Sequence, residues 1–327
     1  MTLKIELEEK AQVFNHFWIR YLEEQPPVSL YQASRHLPQS GGKRLRPVLT
    51  MVACESVGGT AEHTFPFAAA LEFMHNFTLV HDDIMDHSHL RRNVPTVHVE
   101  YGEPTAILAG DLLFAKSFEA MHDLEVSPAV FKTLERELIQ CIVDICEGQQ
   151  WDMEFEQRNT VSEREYMTMI EKKTGVLFRL SSRGGGMIGE GTAEEIDALT
   201  TYGSHLGLAF QIWDDYLDMS SDEATLGKDI GNDIRNGKKT LIAVHAFEHA
   251  TGDDQTLITK VFGHQQATNE DIRHVLDAFQ SSGSIQYAKD VARRYHDEAL
   301  QVLHVLPVSD ARHILEDLVS FAIERKT

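Results

Sequence analysis

Two stretches of this chain carry the same spacing of carboxylates: Asp82, Asp83 and Asp86, and again Asp214, Asp215 and Asp218, each in the pattern DDxxD. Positions three and four apart share a face of a helix, so each copy is expected to point three carboxylates one way. Carboxylates crowded on one face repel each other and resist burial, and something must compensate them. Hard divalent cations do this, and Mg²⁺ in particular binds through one or two carboxylates together with the phosphates of a substrate. Two such clusters facing each other would clamp a metal and a diphosphate. The competing reading is a pair of solvated acidic faces. It fits poorly with what precedes each copy, because His75 to Val80 and Leu208 to Trp213 lead into the acidic triplets at the ends of apolar helices.

Cations are placed where a diphosphate would need them. Gly41-Gly42-Lys43-Arg44-Leu45-Arg46-Pro47 combines a freely turning backbone with three cations at a helix start. Backbone N–H groups at such a start favour anions, although a plain basic helix start has the same look. Arg91-Arg92 follows the first acidic cluster. Guanidinium forks bind diphosphate oxygens in pairs, but two arginines could equally balance Asp82, Asp83 and Asp86. The segment from Gly227-Lys228-Asp229 to Gly237-Lys238-Lys239-Thr240 reads as a lid carrying cations or as a solvated loop, and it does not match the phosphate-loop pattern. Lys172-Lys173-Thr174-Gly175 lies inside an expected helix and says little alone. Ser182-Arg183-Gly184-Gly185-Gly186 follows a helix rather than a strand, so it reads as a helix break or tight packing and not as a dinucleotide loop.

The formal charge of −21, from 51 acidic and 30 basic residues, argues against a nucleic-acid partner. It leaves room for a small anionic substrate held by metals and a local basic cluster. Cys54, Cys141 and Cys146 form no CxxC pair, so neither a disulfide framework nor a zinc knuckle is expected, and a reducing, cytoplasmic setting fits. The first residues lack the order of a signal peptide, and no apolar run is long enough for a membrane span.

Helical periodicity runs through almost the whole chain and strand signals are nearly absent. Helices are expected over 4–22 and 44–57, over 61–87 ending in the first DDxxD, from Pro104 to about 122, and over about 129–157. Ser162-Glu163-Arg164-Glu165 and Thr192-Ala193-Glu194-Glu195 match the capping box and should open helices to about 181 and 219, the second ending in the second DDxxD. Residues 220–239 read as a loop. Four more helices follow, with breaks near Gly252, Gly263, Gly283 and Pro307. The expectation is an all-α chain of about a dozen helices, with no linker that would divide residues 1–327 into separate domains.

In this order, GGKRLRP, DDxxD with Arg-Arg behind it, Lys-Thr, Phe-Gln-x-x-Asp-Asp-x-x-Asp and the two Gly-Lys pairs, the chain resembles the trans-type polyprenyl diphosphate synthases, and most of all geranylgeranyl diphosphate synthases of archaeal type. The likeness covers residues 41 to about 240. It implies a large helical bundle around a deep central cavity, usually a homodimer, and head-to-tail condensation of isopentenyl diphosphate onto an allylic diphosphate. By motif position, Asp82, Asp86 and Asp214 would ligate Mg²⁺ directly, with Asp83, Asp215 and Asp218 behind them or acting through water. Arg91, Lys173, Lys228 and Lys238 would hold the allylic diphosphate. Lys43, Arg46, His75 and Arg92 would hold isopentenyl diphosphate. Thr174 and Gln211 would steady the developing cation through oxygen dipoles.

Product length should follow from bulk beneath the first motif. Phe77 lies five residues before Asp82, about 7 Å deeper along the helix axis, and Thr78, at four before, is small. That pairing resembles twenty-carbon synthases more than fifteen-carbon ones, whose animal members tend to be aromatic at both places. Phe77 as ordinary core is the plain alternative. Four rivals are distinguishable. A terpene cyclase normally has a different second metal motif and no GGKR run. A head-to-head synthase also lacks that run. A non-catalytic subunit would be expected to have lost aspartates. An HD-type phosphohydrolase would use His75 and His81-Asp82 but needs no second DDxxD.

Overall fold

The structure is a computed structural model that describes residues 3–220 and 232–324. Its elements are almost entirely helical, and by contact the chain divides into two compact units. The first comprises Met1–Ile139, Leu180–Thr200 and Val305–Leu315, and the second Gln140–Arg179, Thr201–His304 and Glu316–Thr327.

In the first unit, α1 (Leu3–Trp18), α2 (Val28–Gln39) and α3 (Leu45–Ser56) precede α4 (Phe65–Met85). The apolar residues of α4 are not confined to one stripe, and Phe67 through Met74 are all buried. Trp18 and Tyr21 pack on Phe73, with ring centroids 5.1 and 5.9 Å away. The chain then forms a short hairpin, β1 (Leu90–Arg91) against β2 (Val94–Pro95), followed by α5 (Val97–Tyr101) and α6 (Glu103–His122), which packs along α4. The hairpin and α2 were not anticipated from the sequence.

Further along, α7 (Pro128–Glu156) leads to α8 (Glu163–Ile170), whose Ser162/Glu165 capping box is formed as expected. A π-helical turn, Glu171–Gly175, separates α8 from α9 (Val176–Ile188). The helical run therefore continues past 181, and the glycine triplet lies within α9 rather than breaking it. A Cβ on Gly184 would sit 2.1 Å from the Phe67 ring, and one on Gly185 would sit 2.2 Å from the Thr50 carbonyl. Tight packing against α3 and α4 is thus what the triplet permits.

The Thr192/Glu195 box opens α10 (Ala193–Ser220). In the expected loop over 220–239, residues 232–236 form α11 (Asn232–Asn236). Five helices follow instead of four: α12 (Leu241–His249), α13 (Gly252–Val261), α14 (Asn269–Ser281), α15 (Ser284–Val302) and α16 (Asp310–Glu324). The second unit is built around Tyr166, Ile170, Ile212, Ile242, Phe279 and Ala288, all buried in one apolar cluster.

Candidate active site

The first acidic motif stands at the C-terminal end of α4. Its three carboxylates do not share a face. Residues 82 and 86 are one helical turn apart, but Asp83 is rotated inward by about 100°. Asp83 is 1% exposed, and the Nε of Arg91 donates to both of its oxygens at 2.9 Å. Burial pushes the Asp83 carboxyl above the usual range, and the Arg91 charge opposes that shift. Asp82 is half-buried and Asp86 exposed.

The hairpin after α4 makes the Asp83–Arg91 pair possible. Arg92 and Asn93, at its turn, have φ of 53° and 61°, the mirror-type turn favoured by two-residue hairpins. This turn carries the guanidinium of Arg92 onto the loop before α3, where it donates to the Gly41 carbonyl. A Cβ on Gly42 would lie 2.9 Å from Nη1 of Arg92, so this approach needs glycine.

Of the three cations after that loop, Arg44 is taken out of play. It is buried and donates to Asn15, Glu72 and the Pro38 carbonyl. Lys43 remains exposed and Arg46 half-buried. His75, about two turns before Asp82 on α4, is kept neutral by burial and by the positive field of Arg46, Arg92, Arg91 and Arg44. The structure therefore brings Arg46, His75, Arg91 and Arg92 into one positively charged region, a strong attractor for a polyphosphate anion.

Phe77 is half-buried and meets Phe114 of α6 edge-on, with centroids 5.3 Å apart, and His81 at 5.5 Å. The Thr78 hydroxyl donates to the His75 carbonyl at 2.8 Å. His81 lies so close to α6 that a Cβ on Gly110 would fall 2.2 Å from its Nε2.

The second motif lies near the end of α10, in the other unit, and again its middle aspartate turns inward. Asp215 is 4% exposed, but here neutral groups hold it. The Tyr166 hydroxyl donates to Oδ2 at 2.8 Å and Nε2 of Gln211 donates to Oδ1 at 3.0 Å. Burial raises its carboxyl to about 7, against the pull of the Lys238 charge. Asp214 and Asp218 are half-buried.

The π turn between α8 and α9 sends neighbouring lysines apart. Lys172 pairs with Asp144, at 2.9 Å, and with Glu147, while Lys173 pairs with Asp152 of α7 at 2.5 Å. Such single turns often occur at functional sites. Thr174 donates to Oε1 of Gln211 at 2.9 Å. Burial favours the neutral form of Asp152, but Lys173 and Lys238 outweigh it and keep the carboxyl below its ordinary value. Lys238 is held charged chiefly by Asp233, 3.8 Å away, with Asp215, Asp152 and Asp218 contributing. Lys228 lies outside the described residues.

Asp152 and Tyr166 were missed by sequence reasoning. Asp152 did leave a trace. A Cβ on Gly148, one turn earlier, would lie 2.5 Å from the Lys173 backbone nitrogen. A lone glycine in a long helix followed by a carboxylate marks that close approach.

The donor set suits a hard cation. Among the described residues no three His, Cys, Asp or Glu side chains converge to hold a metal unaided. The one or two carboxylates that each motif offers match the way Mg²⁺ binds, with phosphate and water oxygens completing its shell.

Comparison with known proteins agrees. The family model described as Polyprenyl synthetase matches residues 27–279. The geranylgeranyl diphosphate synthase of Saccharolobus solfataricus is 43% identical, with 91% of each chain covered. The crystal structure of geranylgeranyl pyrophosphate synthetase from Pyrococcus horikoshii Ot3 superposes with a TM-score of 0.95 at 44% identity, covering 99% of this chain and 98% of that one. A polyprenyl synthase from Caulobacter crescentus CB15, solved in complex with calcium and isoprenyl diphosphate, aligns with a TM-score of 0.89 at 32% identity over 99% and 97% of the two chains.

Proposed function

This chain belongs to the polyprenyl synthetase family and is a prenyltransferase, and we propose that it condenses isopentenyl diphosphate onto dimethylallyl, geranyl and farnesyl diphosphates to make geranylgeranyl diphosphate. The observation that carries this reading is the shared design of the two acidic motifs. Each buries its middle aspartate on protein donors and keeps the flanking pair, Asp82 with Asp86 or Asp214 with Asp218, nearer solvent. That pair is what a divalent cation bridging to a diphosphate would use.

Bound Mg²⁺ would neutralise the charge that develops on the departing diphosphate. Asp82, Asp86 and Asp214 would be its direct ligands, with Asp83, Asp215 and Asp218 supporting them. Arg91, Lys173, Lys228 and Lys238 would hold the same diphosphate. Lys43, Arg46, His75 and Arg92 would orient isopentenyl diphosphate, with His75 as a neutral hydrogen-bonding partner. Once the allylic C–O bond breaks, the oxygens of Thr174 and Gln211 would lie against the cation. The alkene attacks it, leaving a new cationic centre on the isopentenyl unit, and the adjacent carbon loses a proton to the diphosphate while its C–H electrons become the product's double bond. Such preorganised electrostatics are commonly the largest part of catalysis.

Phe77, backed by Phe114, is taken as the floor that stops growth at twenty carbons, with small Thr78 leaving room above it. A fifteen-carbon product is the second reading, favoured if Phe77 closes the channel one unit earlier. The HD-type phosphohydrolase has little support. Nε2 of His81, which would have to meet a metal, is instead 3.2 Å from the Ile107 carbonyl.

We take the enzyme to be a cytoplasmic homodimer acting as one functional domain. Cys54, Cys141 and Cys146 form no disulfide, and no described helix is long and apolar enough to cross a membrane. Exposed Ile139 and Val143 lie one turn apart on α7 and suit a partner copy. Incubation with Mg²⁺, labelled isopentenyl diphosphate and five-, ten- or fifteen-carbon primers tests the proposal. A dominant twenty-carbon alcohol after dephosphorylation is expected. Absence of incorporation by folded protein with every primer defeats it.

A further inference from the structure

A chain of hydrogen bonds in the second unit converges on Asp215 from two sides, Tyr166 on one and Gln211 followed by Thr174 on the other. The Tyr166 oxygen receives the backbone N–H of Leu241, so its own proton goes to Oδ2 of Asp215, 2.8 Å away. The Gln211 amide presents Nε2 to Oδ1 of Asp215, at 3.0 Å, which turns its Oε1 toward Thr174. That oxygen has no hydrogen to give, so the Thr174 hydroxyl donates to it at 2.9 Å. With its hydrogen committed inward, Thr174 Oγ1 keeps only lone pairs for whatever approaches from outside.

The chain also passes from the interior outward. Tyr166 and Asp215 are buried, while Gln211 and Thr174 are half-buried. Its buried end is fixed from two sides, because Tyr166 belongs to α8 and Leu241 opens α12 directly after Lys238-Lys239-Thr240.

Resting on the function proposed above, we infer that Tyr166 is a positioning residue for cation formation: by fixing the plane of the Asp215 carboxylate it sets the Gln211 amide, and through it makes the Thr174 oxygen a pure acceptor facing the allylic cation. Polarisation along such a chain is cooperative, so the far oxygen gains from the anion at its root. Without the phenol hydroxyl, the carboxylate can rotate and the amide loses its fixed partner. Thr174 could then turn its hydrogen outward, toward a positive charge. Tyr166 touches no substrate in this scheme and should leave binding alone.

The test is steady-state kinetics of Tyr166→Phe with farnesyl diphosphate and isopentenyl diphosphate, supported by thermal melts. The ring and its packing survive this change. A fall in kcat of roughly five- to tenfold is expected, within the usual net contribution of one hydrogen bond. Both KM values and the Mg²⁺ midpoint should stay within about twofold, an interval that sits inside the context-dependence of such effects. In a Thr174→Val background the Tyr166→Phe loss should disappear, because the chain is already cut.

A parallel rise in either KM or in the Mg²⁺ midpoint would assign Tyr166 to diphosphate or metal binding and overturn the inference. So would an undiminished loss in the Thr174→Val background, or an unchanged kcat. If Tyr166→Phe does not fold, a cycle of Gln211→Leu with Thr174→Val examines the same chain. Coupled losses support it, and independent losses overturn it. Wild-type protein that incorporates no isopentenyl diphosphate refutes the function itself, whereas normal wild-type turnover with an unaltered Tyr166→Phe refutes this inference alone.

Discussion

The two DDxxD regions solve one problem in different ways. Each must bury its second aspartate, and a bare carboxylate in the interior is costly. At Asp83 the remedy is an ion pair, with the Nε of Arg91 reaching both oxygens at 2.9 Å. At Asp215 it is two neutral donors, Tyr166 and Gln211, with the charge of Lys238 nearby. An ion pair holds one carboxylate in one place. Neutral donors can pass the orientation of the carboxylate to other groups, and at Asp215 they pass it to Gln211 and Thr174. Identical motifs in the sequence thus have distinct surroundings. The first is set beside a cluster of fixed positive charge, the second at the root of a polar chain.

The largest effects should come from the aspartates the motifs share. Asp82→Ala or Asp214→Ala should each lower kcat by roughly a thousandfold, the upper range for losing one element of preorganised charge stabilisation. Both are half-buried at the motif faces, and the folded baseline in circular dichroism should be unchanged. Near-normal turnover in either variant would remove the metal assignment for that region and leave only one working motif.

Next comes the contrast in how the inner aspartate is held. Arg91→Leu strands a buried carboxylate and should cost about 3–5 kcal/mol in denaturant unfolding. Tyr166→Phe removes one donor of two and should cost about 1–2 kcal/mol. Adding Asp83→Leu to Arg91→Leu should recover much of the first loss, since a well-packed apolar pair avoids desolvation. Equal costs for the two single variants would erase the distinction between an ion pair and a neutral cradle. A smaller effect, on product rather than rate, belongs to the first region alone. Phe77→Ala should shift the product toward chains longer by one or more isoprene units. An unchanged product distribution by chromatography would make Phe77 ordinary core.

Much of this was legible in the sequence where the signal is local. The acidic spacing, the Gly-Gly lead into Lys43-Arg44-Leu45-Arg46 and both capping boxes are short patterns whose physics acts over one turn, and both boxes form. The orientation of the carboxylates was not legible, because a DDxxD read as one face ignores the 100° step between neighbours. The roles of the basic residues were no clearer. Arg44 looks like its neighbours in sequence, and only the fold gives it Glu72, Asn15 and the Pro38 carbonyl. The Arg92-Asn93 turn has no glycine to announce its positive φ values. Asp152 and Tyr166 are single residues whose partners lie 21 and 49 positions away, and no local pattern points to such distances.

The smallest expected effect bears on how each inner aspartate's surroundings are anchored. Asp83 rides on a helix of 21 residues with a deeply buried body, which needs little help at its start, and its N-cap Thr64 makes no side-chain cap. Tyr166 rides on α8, only eight residues long, so it depends on a local device. The Ser162 backbone N–H and hydroxyl both donate to Glu165, and together with Arg158 they hold its carboxyl at about 2, below the ordinary 4.5. A depressed carboxyl stabilises the fold fully above its unfolded value and loses that contribution as the pH falls through the folded one. Ser162→Ala should therefore cost about 1 kcal/mol at neutral pH. The gap from wild type should narrow as the pH falls from about 4.5 towards 2. If the cap also keeps Tyr166 aligned, kcat should fall slightly at neutral pH with both KM values fixed. Thr64→Ala at the start of α4 should change neither kcat nor its pH dependence, and a matching kinetic loss there would mean that both aspartates depend equally on their helix starts.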